Sequence, residues 1–144
     1  MREAARATRE SVRTRQIQLF LEYTKRWDEE DLLESRAAAS QFKTPEELAA
    51  RIRELYAKDP RKRLELLRVA NFYEELAIMV TEGGITLETV RKSFRTPIVE
   101  SWKLWELAVE DMRDEAERAR QPRTAYENFK WLAEVISGSP LGTQ

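Results

Sequence analysis

Three times in this chain a Thr or Asp is followed at once by proline: Thr44-Pro45, Asp59-Pro60 and Thr96-Pro97. A Thr or Asp side chain there accepts a hydrogen bond from an open N–H of a helix's first turn, and proline in the first helical position gives up an N–H that had no partner anyway. Each step therefore marks a helix start. Behind each one, apolar side chains recur at intervals of three and four, the helical period, and no run of period two exceeds a few residues. Such a chain is committed to helices packed on helices. The predicted fold is all-α, a compact bundle of six to seven helices with mostly antiparallel neighbours.

The first helix is predicted over about residues 2–27, with Val12, Gln16, Leu19, Phe20, Tyr23 and Trp27 facing inward and Ile17 and Leu21 flanking them. Upstream of Val12 its only apolar content is alanine, and arginine stands at 2, 6, 9, 13 and 15. Residues 1–11 therefore fray or wait on a partner, because a polar helix cannot offset its ordering entropy by burial. Asp28 is the expected N-cap of a second short helix that carries Leu32, Leu33 and Ala37 to Ala39, with Glu29, Glu30 and Asp31 on its favoured acidic first turn. Thr44, Pro45 and Glu47 form a capping box for the third helix, which turns Leu48, Ile52, Leu55 and Tyr56 to one face.

The fourth helix, opened by Asp59-Pro60, has the densest apolar content, from Leu64 to Val80, and ends at Gly83-Gly84. Thr86 then caps a short helix through Val90 and Phe94, and Thr96-Pro97 starts a long one striped by Ile98, Trp102, Trp105, Val109 and Met112. The last helix has Tyr126, Phe129, Leu132, Ala133 and Ile136 inward and stops at Gly138, leaving residues 139–144 as a disordered tail. The whole of 1–144 reads as one helical domain, the common size for a single core. Phe72, Tyr73, Trp102, Trp105, Phe129 and Trp131 are its expected core aromatics.

Two absences remove more chemistry than any motif adds. With no cysteine and no histidine among 144 residues there is no thiolate, no disulfide, no imidazole base and no His-containing metal pair. No catalytic, cofactor-binding or metal-binding residue is assigned, and no cofactor is expected. The 25 basic and 26 acidic side chains leave a net charge of −1, without a global field for nucleic acid or anionic lipid. The longest apolar run, Leu76 to Val80, is far short of the roughly 20 residues a membrane span needs, and residues 1–10 lack the apolar stretch of a signal peptide. A soluble, cytoplasmic protein is the expectation.

The residues with chemistry left to offer are few. Glu74 and Glu75 lie mid-helix on its polar side with Asn71 and Glu82, so a solvated or salt-bridged face is the expected reading; burial would instead raise a carboxyl's pKa toward a catalytic range, with Arg36 or Arg113 as the expected partner. Glu74, Glu75, Glu100, Glu106 and Asp111 could build a carboxylate metal site, though nothing in their spacing demands one. Residues 75–94 read helix, glycine turn, helix, which invites comparison with a DNA-binding helix-turn-helix. Trp27 either staples the first two helices or edges a partner surface.

The block from Asn71 through Ile85, then Ile98 to Trp105 and Ala125 to Leu132, resembles a small bacterial helical family, domain of unknown function 4760. Arg13 to Ile17 and Leu33 to Arg36 are similar too. The resemblance implies an all-helical domain and no reaction. It carries Glu74, Trp102, Trp105, Arg113 and Phe129, with Arg36, as positions of the shared pattern without assigned roles. Members often have a transmembrane helix just ahead of the region matching Arg13 onward, and this sequence has none there. The expected role is a non-enzymatic protein-interaction or regulatory module, acting through helical surfaces on a protein partner or a second copy of itself. The alternatives are a carboxylate-dependent or metal-assisted enzyme and a small DNA-binding regulator. Nucleic acid is the less expected partner, and contact of the N-terminal helix with a membrane surface has no support beyond its arginines.

Overall fold

Local capping chemistry sets the starts of three helices. In the computed structural model, which describes residues 2–138, the Thr44 hydroxyl accepts from the Glu47 N–H at 3.2 Å, while Glu47 reaches back to the Lys43 N–H at 3.1 Å. Asp59 accepts from the Lys62 N–H, and Thr86 from the Thr89 N–H. The helices are α1 (Arg2–Lys25), α2 (Glu30–Ala39), α3 (Pro45–Lys58), α4 (Pro60–Thr81), α5 (Leu87–Arg118) and α6 (Glu127–Ser137), with a 3₁₀ turn at Arg26–Asp28. No strand occurs among the described residues, so the all-α bundle is the fold. The expected tail at 139–144 lies outside the described residues.

Two predicted boundaries move. Asp28 belongs to the 3₁₀ turn, and Glu29, in extended conformation, holds the N-cap position of α2 without a side-chain cap bond. The predicted break at Thr96-Pro97 is absent, because α5 runs through Pro97 for 32 residues. An interior proline costs about 3 kcal/mol or more by leaving one carbonyl without its donor. Here that carbonyl belongs to Ser93, which is solvent-exposed, and the stripe Val90, Phe94, Ile98, Trp102, Trp105 and Val109 is buried without a gap across the proline. Packing on both sides outweighs one lost bond.

α4 packs against α2, α3 and α6, and α5 against α3 and α6. Between them lies the core, with Phe72, Tyr73, Trp102, Trp105 and Phe129 buried. Tyr73 stacks on Phe129 with centroids 4.9 Å apart, and Trp102 meets Phe129 edge-on at 5.0 Å. Trp131 does not join them. It keeps 36% of its surface open, because Phe129, Leu132, Ala133 and Ile136 define the inner face of α6 and Trp131 projects from the other side. Tyr56 and Val12 are likewise exposed, contrary to the inward faces assigned to them.

α4 ends as glycine allows. Gly83 has φ +81°, a left-handed conformation that costs it nothing, and the Gly84 N–H returns to the Met79 carbonyl at 2.9 Å. This turn also seats α1, with Leu19 lying 3.0 Å from where a Gly84 Cβ would stand and the Gln16 amide donating to the Gly83 carbonyl at 2.9 Å.

Candidate functional site: a notch walled by Trp27 and Arg36

The 3₁₀ turn after α1 lays Trp27 onto the bundle. Its ring meets Phe72 at 4.9 Å and both Tyr73 and Phe94 at 5.6 Å, so one side chain joins the end of α1 to α4 and α5. This is staple geometry, although the indole is only partly buried. Over its outer face stands Arg36 from α2, with the guanidinium carbon 3.9 Å from the ring centroid, a cation–π contact. Arg36 Nη1 donates to the Trp27 carbonyl at 2.8 Å and lies 3.9 Å from the exposed carboxylate of Asp28. The other guanidinium N–H groups form no hydrogen bond among the described residues.

An open notch of about 270 Å³ borders this pair. Val69, one turn before Tyr73 on α4, and Pro97 and Leu104 on α5 give it apolar walls. At its floor the Ser101 hydroxyl donates to the Tyr73 phenol oxygen at 3.2 Å. Both residues line the notch. Burial pushes the Tyr73 phenol above its usual range, with the Ser101 bond and the Arg36 charge pulling the other way, so Tyr73 is a neutral donor at physiological pH. Glu100 at the rim lies 3.6 Å from Lys103.

Glu75 lies on an exposed, salt-bridged face, as its polar position suggested, and Glu74 is half-buried. Neither pairs with Arg36 or Arg113 among the described residues. Glu74 Oε1 accepts from the backbone N–H of Asn128 at 2.8 Å and of Phe129 at 3.3 Å. α6 starts from Tyr126 in left-handed conformation (φ 55°) with no side-chain cap of its own. A carboxylate from α4 therefore supplies the missing acceptor, where the helix dipole also favours negative charge. Burial raises the Glu74 carboxyl's pKa, and those N–H bonds hold it back.

Arg113, buried, donates Nε–H to the Ala125 carbonyl at 2.9 Å, and the Tyr126 hydroxyl donates to Asn71 Oδ1 at 2.6 Å. Glu74, Asn71 and Arg113 thus fasten the entry to α6. Glu75 instead accepts from Arg26 at 2.8 Å and from the Tyr23 hydroxyl at 3.2 Å, tying the end of α1 to α4. Burial, with Glu75 next, pushes the Tyr23 phenol above its usual range.

Of the candidate residues, Trp27 and Arg36 come together, while Glu74 with Arg113, and Glu75, serve two separate junctions. Tyr73, Ser101 and Leu104 were not anticipated as neighbours of Arg36. The three-and-four spacing of Pro97, Ser101 and Leu104 was the available sign of a shared α5 face. Among the described residues no three acidic side chains come close enough to hold a metal ion, and no helix is long and apolar enough to cross a membrane.

A family model described as Domain of unknown function (DUF4760) matches residues 2–135. No curated protein and no solved structure matches the chain.

Proposed function

The chain belongs to the domain of unknown function 4760 family, and we propose that it is a non-enzymatic protein-interaction module that docks a partner at the Trp27–Arg36 notch. The observation that carries this reading is the half-used guanidinium of Arg36, fixed on one side to the Trp27 ring and carbonyl and open on the other beside apolar walls. Arginine stacked on an aromatic ring loses little freedom on binding, and both arginine and tryptophan are enriched among the anchor points of protein interfaces. The occupant that fits is a peptide segment with an apolar side chain beside a carboxylate. The apolar group fills the space between Val69 and Leu104, and the carboxylate takes the open side of Arg36.

A carboxylate-dependent enzyme has less in its favour, because the oxygens of Glu74 are occupied by the N–H groups of α6. A DNA-binding helix-turn-helix at 75–94 has less as well, because a net charge of −1 supplies no global field for a phosphate backbone.

Selection of displayed random peptides on the full chain tests the proposal. The expected outcome is a consensus of an apolar residue next to Asp or Glu, with binding lost in Arg36→Gln and in Leu104→Glu. Selected peptides that bind both variants as well as the parent would refute it.

A further inference from the structure

A second groove lies elsewhere, where α1 overhangs the start of α5. The face that turns Phe20 and Tyr23 into the bundle continues upstream through Gln16, Val12, Arg13 and Arg9 at helical spacing. Gln16 is the last of these anchored to the α4–α5 turn. Beyond it the two helices enclose about 330 Å³, within the range of small-ligand sites. Arg9 and Arg13 stand on the α1 wall with Val12 between them, and Thr89 and Lys92 stand on the α5 wall.

The charges there do not balance. Arg9, Arg13 and Lys92 face a single acid, Glu88, which Lys92 holds at 2.9 Å. That contact, with Arg13 adding a smaller pull, keeps the Glu88 carboxyl below its usual range. Arg6, nearby on the same helix, pairs with Glu10 at 3.1 Å. Arg9 and Arg13, one turn apart, form no ion pair within 4 Å and no hydrogen bond among the described residues. Like charges at this spacing repel, so the helix gains when an anion is shared between them. A singly charged carboxylate satisfies one guanidinium, whereas a phosphate monoester brings nearly two charges and three acceptor oxygens.

We propose that the α1–α5 groove binds a phosphate monoester through Arg9, Arg13 and Lys92, with a short apolar part of the ligand against Val12. The binding is independent of the notch at Trp27 and ties the first half of α1 to α5. The phosphate can sit on a soluble metabolite or on a lipid headgroup, and the chemistry at the groove is the same.

The test titrates the full chain with glycerol 3-phosphate, following backbone amide resonances, against chloride at matched ionic strength. Saturable shifts are expected within residues 8–17 and 86–92. Arg9→Gln/Arg13→Gln should weaken binding by about tenfold or more, the scale of a lost charge-assisted contact. Lys92→Gln, on the other wall, should weaken it as well, and Arg2→Gln/Arg6→Gln, with the same change in net charge, should not. Circular dichroism and melting of each variant establish that it is folded. A second arm sediments the chain with phosphatidylcholine vesicles with and without phosphatidic acid. Saturation by glycerol 3-phosphate without vesicle binding supports a soluble ligand, and vesicle binding that needs both phosphatidic acid and Arg9/Arg13 supports a headgroup. Binding in neither arm, shifts reproduced by chloride, or equal loss in the two double-arginine variants would overturn the proposal.

Discussion

α1 and α4 are nearly the same length, 24 and 22 residues, yet α4 buries eight side chains and α1 buries two, Phe20 and Tyr23. Val12, Ile17 and Leu21 of α1 keep 50%, 42% and 55% of their surface open. Both segments are helical, but for different reasons. α4 is held because its apolar arc is covered on several sides by α2, α3 and α6. The first half of α1 has only its own backbone bonds and scattered pairs such as Arg6–Glu10, worth a few tenths of a kcal/mol, roughly, when exposed. Helical pattern identifies an element, and the apolar side chains it can bury decide how firmly it is held.

The largest effect that would break this contrast lies at the core end. Trp105→Ala is expected to destabilise the fold by about 3–5 kcal/mol, measured by urea unfolding. A loss below about 1 kcal/mol would mean that the α5 seam is not where stability resides. Glu74→Ala leaves the Asn128 and Phe129 N–H groups without their acceptor and should cost about 0.5–2 kcal/mol, with faster amide exchange at those two residues. Glu74→Gln, which keeps an acceptor oxygen, should cost less.

Tyr126 sharpens the same junction. Burial pushes its phenol up to about 12. Its folded pKa lies above the ordinary value of 10.0, so its contribution to stability is complete below pH 10 and is lost as pH rises through 12. Absorbance titration should show this phenol ionising near 12, and Tyr126→Phe, which removes the bond to Asn71, should cost about 0.5–1.5 kcal/mol. At the far end of the scale, deletion of residues 2–10 should change unfolding free energy by no more than about 0.5 kcal/mol, as for exposed positions that pack on nothing. A larger drop would show that the start of α1 is held by the bundle after all.

What could be foreseen in the sequence follows from how local each feature is. The starts of α3, α4 and α5 were legible in Thr44, Asp59 and Thr86, because a cap and the N–H groups it serves lie within three residues of each other. Pro97 misled, since its cost is local while the compensating burial of Phe94, Ile98 and Trp102 depends on tertiary packing. The unbroken spacing from Val90 to Val109 was the sign that one helix crosses it. Trp131 was misplaced although the wheel of α6 already put it opposite Phe129 and Ala133. The partners of Glu74 lay beyond reach, because they are backbone N–H groups 54 and 55 residues away and backbone carries no sequence signal. The notch was half legible. Trp27 and Arg36 stood out as residue types, while Tyr73, Ser101 and Leu104 join them only through the crossing of α4 and α5.

Native-state hydrogen exchange across the whole chain tests most directly whether the bundle holds α4 and α5 but not the first half of α1. Amides of Leu67 to Ala77 and of Trp102 to Val109 should exchange only through global unfolding, while those of Ala5 to Arg13 exchange through local opening at a small fraction of that free energy. Equal protection along α1 and α4 in the unliganded chain would contradict the account.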